Sequence, residues 1–409
     1  MRNRYAPSGC AVVVANPIGA ARRTGRLLVS NGRGVPLAAV AAAWFLALGA
    51  RFVVPSVLPT VRADLGFDNA TAGLLLTGLW GSYALMQFPS GLLTDRVGER
   101  RILVIATVLG GVAVAALGTT AGLATFAAGI VLYGLGTGLY ATPRVMVVSR
   151  LYPDRSDTAL GVVFAAGNVG NTVLPAAAGV VATTVGWRVG FLALAPLFFI
   201  VAVGLAVAVP ENGETDADPE SARDGIRELR RPPVLVVTVA LILFAFGYQG
   251  LVGFLPTYLV EAKAANPETA SLAFGGFFAV GLLAQVVSGG VAAAYGRRTL
   301  LVGTVAFAVA GVAALTTLPP TAALVLTPVL GIQLGVWPVL NAYAYDALSA
   351  GARGGGFGFL RTVYLLLGST GPIVVGTLFD AGRASAGVAL CAATFGVVIL
   401  VCARLPVLD

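Results

Sequence analysis

The 409-residue chain has no histidine, a single lysine (Lys263) and three cysteines, and only 11% of its residues are charged. Each scarcity excludes something. Without histidine there is no imidazole metal site, no histidine proton relay and no Ser-His or Cys-His catalytic pair. Cys10, Cys391 and Cys402 are too few for a disulfide framework, and the last two fall on one helical stretch. A soluble protein carries about 25% charged residues, so a soluble two- or three-domain chain of this length would lack the polar surface it needs.

Apolar residues fill the gap. They make up 57% of the chain, and the mean hydropathy is +0.90. A membrane-spanning helix needs about 20 mostly apolar residues. Charges and turn residues divide the chain into twelve such stretches: 36–60, 70–93, 102–119, 123–147, 158–183, 188–209, 234–257, 270–293, 299–318, 321–346, 356–379 and 385–404. The expected class is therefore an all-α integral membrane protein. Residues 35–209 and 234–405 form two six-helix bundles joined by a polar cytoplasmic linker over 210–233, whose composition cannot bury a core. Residues 1–34 read as an arginine-bearing cytoplasmic tail.

The basic balance (+8, pI ≈ 9.7) would suggest nucleic acid in a soluble protein. Here its placement gives another reading. With the N-terminus inside, 20 of the 26 basic residues fall on cytoplasmic segments, and only Arg62, Arg188, Lys263 and Arg383 on outer ones. That is the positive-inside pattern, with both termini cytoplasmic.

An internal repeat sets the architecture. At an offset of 197, Leu58-Pro59-Thr60 recurs as Leu255-Pro256-Thr257, and Gly134, Gly138, Gly161, Pro175 and Gly179 recur as Gly331, Gly335, Gly358, Pro372 and Gly376. At 198, Gln87, Ser90, Gly91 and Gly98 recur as Gln285, Ser288, Gly289 and Gly296. Six helices per copy means that both copies enter the membrane in the same direction. This is a parallel repeat about an axis along the membrane normal, an arrangement used by transporters with a central site.

After the second stretch comes Gly91-Leu-Leu-Thr-Asp95-Arg96-Val-Gly98-Glu-Arg100-Arg101. Its glycines allow a tight turn and close helix approach. The pattern resembles the loop motif of the major facilitator superfamily. Its second copy keeps Gly289, Gly296, Arg297 and Arg298 but has Ala293 in place of the aspartate. Gly167–Gly179, with Pro175, resembles the Gly/Pro motif of that superfamily's fifth helix, and Gly186-Trp187-Arg188 the start of its sixth. Ile130 stands where many members carry arginine in the fourth helix. The resemblance covers about residues 35–405. It implies a fold that works by alternating access, with Gly91, Asp95, Arg96, Gly98 and Arg100 gating the cytoplasmic interface between the halves. Arg144 either joins that cluster or only sets topology.

Ionisable groups at membrane depth are functional suspects by default. No carboxylate falls mid-membrane, so a central proton-coupling group is missing. Two arginines do fall within helices, Arg51 in the first and Arg361 in the eleventh. Arginine stays charged and forks onto carboxylate or phosphate, so unpaired arginines in a cavity attract an anion. The alternatives are an ion pair of Arg361 with Asp346, and of Arg51 with Asp64 or with carbonyls near Pro55. By the resemblance, the first, fourth, seventh and tenth helices line the cavity. They carry Tyr140, Tyr248, Gln249, Gln333, Trp337 and Asn341, with Tyr364 one turn beyond Arg361. The repeat sets Tyr248 at the position of Arg51 and Trp337 at that of Tyr140. Asn168 and Asn171 read as helix–helix hydrogen bonds.

The expected function is a plasma-membrane transporter of a small solute, leaning to an organic anion and acting as a uniporter, exchanger or cation-coupled symporter. Efflux of hydrophobic or cationic drugs is the alternative, although such cargo usually wants a membrane carboxylate. A membrane enzyme would need a catalytic pair, and none is visible. A transporter-like sensor would need a larger output domain than the linker. No cofactor or metal is expected, and no nucleic acid. The expected partners are the solute, a coupling ion if one is used, and the lipid bilayer, around a monomer.

Overall fold

A computed structural model describes residues 33–211, 231–349 and 355–405. Most of the expected tail and linker lies outside the described residues. Every element among those described is helical. The first half contains α1 (Gly34–Leu65), α2 (Asn69–Leu85), α3 (Gln87–Val97), α4 (Glu99–Gly118), α5 (Leu123–Leu139), α6 (Ala141–Leu151), α7 (Ser156–Val181) and α8 (Trp187–Ala208). The second contains α9 (Pro232–Glu261), α10 (Pro267–Tyr295), α11 (Arg297–Thr317), α12 (Pro320–Val329), α13 (Val336–Ala347), α14 (Gly355–Gly368), α15 (Gly371–Asp380) and α16 (Ala384–Cys402).

By length and apolarity, 10 helical stretches could cross a membrane, against twelve expected. The difference has two local causes. Ser156–Ala208 counts as one stretch of 53 residues, although Gly186 breaks it with φ +110°; α7 then packs along α1, and α8 along α4. The 70–93 stretch is interrupted at Met86, which leaves α2 only 17 residues long.

Interruptions recur near the middle of the bundle. α5 gives way to α6 at Tyr140, a 3₁₀ turn over Leu330–Gly335 separates α12 from α13, and α14 ends one turn before α15. The Tyr140 break and the 3₁₀ turn are equivalents under the repeat. Broken helices free backbone groups that hydrocarbon cannot satisfy. Here side chains answer them: the Ser90 hydroxyl donates to the Leu139 carbonyl at 2.6 Å. The repeat also copies backbone geometry. Gly98 (φ 92°, ψ 147°) and Gly296 (φ 86°, ψ 142°) turn the chain alike, in a region a side chain would strain.

The halves meet where α2 packs on α15, α7 on α10 and α1 on α9. One end of this seam is tight. A Cβ on Gly73 would strike the Pro372 carbonyl, one on Gly376 the Asn69 carbonyl, and one on Gly179 the Ser271 side chain. At the same end Arg62 pairs with Glu261 at 2.8 Å. Asp380 accepts the Asn69 and Ala70 N–H groups at 2.9 and 2.6 Å, so a carboxylate of the second half caps a helix of the first. Toward the Asp95 end, a Cβ at Gly161, Gly289 or Gly358 would meet open space. Among the described residues no ion pair joins the halves there, although α14 still packs against α3.

Candidate functional site: a central arginine cluster

Three arginines converge near the helix interruptions. Arg51 of α1 is 1% exposed, and its guanidinium carbon lies 3.7 Å from the centroid of Tyr83 and 5.2 Å from that of Trp80. Arg144 of α6 is also 1% exposed; it lies 3.7 Å over Trp44 and 5.1 Å over Phe164. Arg361 of α14 shares the electrostatic neighbourhood of Tyr83 with both of them. Arg51 Nε and Nη2, Arg144 Nε and Nη1, and Arg361 Nε are all buried without a hydrogen-bond partner.

The acids that could have answered these charges are held elsewhere. Asp64 pairs with Arg188 at 2.6 Å and Asp346 with Arg297. The alternative ion-pair partners considered for Arg51 and Arg361 are thereby engaged. Aromatic faces take their place, and cation–π contacts of this kind contribute about 0.5–2 kcal/mol each. That does not replace the hydrogen bonds that the five unpartnered guanidinium nitrogens can make.

Arg144 differs from its expected place. Rather than lying with Asp95, it sits beside Trp44, in electrostatic contact with Arg51, Arg361 and Tyr83. Helical Cβ atoms tilt toward the helix N-terminus, and α6 starts at the central break. Its Arg144 side chain therefore leans back into the middle.

The remaining candidates divide. Tyr140 stacks on Trp44 with ring centroids 5.8 Å apart, and donates its hydroxyl to the Val40 carbonyl at 2.7 Å. It supports the ring that carries Arg144. Trp337 makes edge contacts with Tyr248 (5.5 Å) and Phe244 (5.0 Å), and a tilted one with Tyr364 (6.1 Å). Tyr364 donates to Asn341 Oδ1 at 3.1 Å, while Asn341 Nδ2 donates to the Trp337 carbonyl at 2.8 Å. Tyr248, Trp337, Asn341 and Tyr364 thus form one wall, with Arg361 in electrostatic contact with Tyr364. Gln333 hydrogen-bonds through neither amide atom and Gln249 leaves Oε1 unpartnered, both buried. Asn168 donates across the seam to Gln285 at 3.1 Å, as expected of a helix–helix bond; Asn171 leaves its Oδ1 unpartnered.

Sequence reasoning missed Trp44, Trp80 and Tyr83. The signals were available: Trp44 precedes Arg51 by two helical turns, and Trp80, Tyr83 and Gln87 share a face at i, i+3, i+7. The family resemblance gives the second helix no cavity-lining role, which hides Tyr83. Toward the Arg62 end the site is roofed by Phe52, which packs on Trp80 (5.3 Å) and, across the seam, on Phe278 (4.4 Å).

The motif residues lie away from this cluster. Gly91 and Asp95 are partly exposed, Arg96 is exposed, and Arg100 lies 3.6 Å from Glu211. The acid locked in this region is Glu99, held by Arg150 at 2.8 Å. Residues 350–354, which precede α14, lie outside the described residues.

A two-half helical membrane bundle around a central cationic site defines a transporter architecture. The Major Facilitator Superfamily profile matches residues 40–372, and the chain belongs to that superfamily of small-solute transporters. It is 25% identical over 370 residues to the cis,cis-muconate transport protein of Acinetobacter baylyi, covering 86% of each chain. It is 26% identical over 240 residues to the nitrite extrusion protein of Bacillus subtilis, covering 58% of this chain and 60% of that one. The crystal structure of a bacterial homolog of the human lysosomal transporter Spinster, in an inward-facing and unoccupied conformation, shares the fold. The TM-score is 0.73 at 17% identity, over 92% of this chain and 96% of that one.

Proposed function

We propose that this protein carries a small organic anion across the plasma membrane by alternating access, holding it between Arg51, Arg144 and Arg361. The observation that carries the reading is the set of buried guanidinium N–H groups with no protein acceptor. An unanswered buried charge is severely penalised, and a carboxylate or phosphate answers several such donors at once. Tyr83 stands against the Arg51 guanidinium and offers a hydroxyl. Trp44, Tyr140, Tyr248, Trp337 and Tyr364 wall the site, and Asn341, Gln249 and Gln333 add polar contacts. Relatives named for muconate and nitrite agree with an anionic cargo. The same charge disfavours a cationic drug.

The positive-inside pattern assigns the Asp95 end to the cytoplasm, so the latched Arg62 end faces outward and this state is closed to the outside. The Gly91–Arg101 turn, with Asp95, Arg96 and Arg100, would hold the opposite closure when the halves rock.

Three of the four tryptophans, Trp44, Trp80 and Trp337, flank the cluster, so quenching of intrinsic fluorescence reports binding. A panel of cis,cis-muconate, glucuronate, inorganic phosphate, glucose and a lipophilic cation, followed by uptake into liposomes, tests the reading. Anions should quench and enter, and Arg51→Ala and Arg361→Ala should lose both signals while remaining folded. Unchanged anion uptake in both variants overturns it.

A further inference from the structure

A groove separate from the arginine cluster runs along the second half, between α10 and α11. Ile332 and Gly335 of the 3₁₀ turn floor it, and its volume is ≈ 520 Å³, the size of a small-ligand site. It faces away from the seam. On α10, Ser271, Gly275 and Gln285 meet the first half. At 3.6 residues per turn, Val280, Leu283, Val287 and Val291 fall on the opposite face, and these line the groove. Leu283 and Val287 are 66% and 57% exposed, and exposed apolar side chains on a spanning helix face hydrocarbon. A Cβ on Gly303 of α11 would meet nothing within 4 Å, so glycine keeps the groove open there. From Val280 to Tyr295 it extends about 22 Å at 1.5 Å per residue, enough for the depth of one leaflet, about half of a 30 Å core.

The lining carries no charge, but the mouth is basic. Tyr295 and Thr299 line that end, and Arg297 and Arg298 lie between them in the chain, both exposed. Arg297 pairs with Asp346; among the described residues no acid pairs with Arg298. The repeat shows that this charge is particular to the second copy. At the 198 offset, Asp95 and Glu99 of the first half become Ala293 and Arg297, so the stretch 289–298 has lost both acids. The positive-inside pattern sets this end at the cytoplasmic leaflet, where tyrosine favours headgroup depth and anionic lipids make the surface negative.

We propose that the groove binds an anionic phospholipid of the inner leaflet. One acyl chain lies along Leu283, Val287 and Gly303, and the phosphate meets Arg297 and Arg298 at the mouth. Ordinary bilayer lipid covers any apolar face; this place differs in joining a chain-sized groove to a basic, acid-poor mouth. The seated chain packs against the turn that carries Gln333, so it braces the break between α12 and α13. The proposal is independent of the cargo of the central cluster.

The test uses the full chain in non-ionic detergent, mixed with equal amounts of phosphatidylglycerol and phosphatidylcholine bearing the same acyl chains. Native mass spectrometry counts the lipid retained. One phosphatidylglycerol should be kept with about tenfold preference, since each arginine near an anionic headgroup is worth roughly fivefold and Arg297 is shared with Asp346. Arg298→Gln should cut the preference about fivefold, whereas Arg383→Gln, exposed at the opposite end, should leave it unchanged. Gly303→Leu, which fills the groove, should abolish retention without lowering the unfolding temperature of the lipid-free protein. Equal retention of the two lipids overturns the proposal, as does unmodified retention of phosphatidylglycerol by Gly303→Leu. A lipid-free dimer that Gly303→Leu splits also overturns it, and gives the groove to a second copy of the chain.

Discussion

The guanidinium of Arg51 lies 3.7 Å from the centroid of the Tyr83 ring, a residue of the neighbouring helix. Through Tyr83 it shares surroundings with Arg144 and Arg361, which come from helices far apart in the chain. Tyr83 thus lies within electrostatic reach of all three guanidiniums, and the consequences can be measured.

Replacing Arg51, Arg144 or Arg361 by alanine removes charge-assisted hydrogen bonds of about 1.5–3 kcal/mol to a bound anion. We expect anion affinity to fall about 10- to 100-fold for each, read by tryptophan quenching. Lysine should restore only part of it, because an ammonium cannot make the planar fork.

Tyr83→Phe keeps the ring face under Arg51, whereas Tyr83→Ala removes it. The phenylalanine variant should keep its thermal unfolding temperature, and the alanine variant, which also leaves a cavity in place of a buried ring, should lose about 3–5 kcal/mol of stability along with anion binding. Equal stability of the two would show that the ring contact contributes nothing.

At the Arg62 end, Asp380 caps α2 from the other half, and Glu261 pairs with Arg62. A lost helix cap is worth about 0.5–2 kcal/mol, so Asp380→Ala should favour opening at this end roughly 2- to 30-fold. A cysteine placed at Ser56, which lies buried just below the seam, should then react faster with an impermeant thiol reagent added from the Arg62 side. The background for this is a chain with its three natural cysteines replaced by alanine.

Acid acts at the same end. The Thr71 hydroxyl and backbone N–H hold the Asp68 carboxyl below its ordinary value. A group with a lowered folded-state value stabilises above its unfolded value and loses that contribution as pH falls through the folded one. The start of α2 should therefore weaken only in strong acid, and Asp68→Asn, which caps without a charge, should flatten that loss. Hydrogen exchange at the first turn of α2 between pH 2 and pH 5 measures the difference.

Much of the fold was legible in the sequence because hydrocarbon tolerates few alternatives to apolar helices. The apolar stretches, the 197–198 repeat and the paired turn glycines Gly98 and Gly296 follow from that restriction and from the steric demand of a positive φ. Arg51 and Arg361 were legible as charges out of place. Arg144 was not, because counting residues along one unbroken helix put it at the cytoplasmic end. The break at Tyr140 and the backward lean of its side chain bring it to the centre. Tyr83, Trp44 and Trp80 looked like ordinary packing, since an aromatic residue in a membrane helix has no meaning until its neighbour is known.

The sequence by itself determined the environment, the two-copy architecture, the superfamily motif and the absence of a carboxylate in mid-membrane, because each of these is a matter of composition, period or spacing. Only the tertiary structure decided that Arg51 stands over Tyr83 and Arg144 over Trp44, that Asp64 and Asp346 are committed to other partners, and that the seam is latched by Asp380 at one end. Those are distances between residues up to 311 positions apart, and they depend on how helices cross and where they break, which local pattern does not encode.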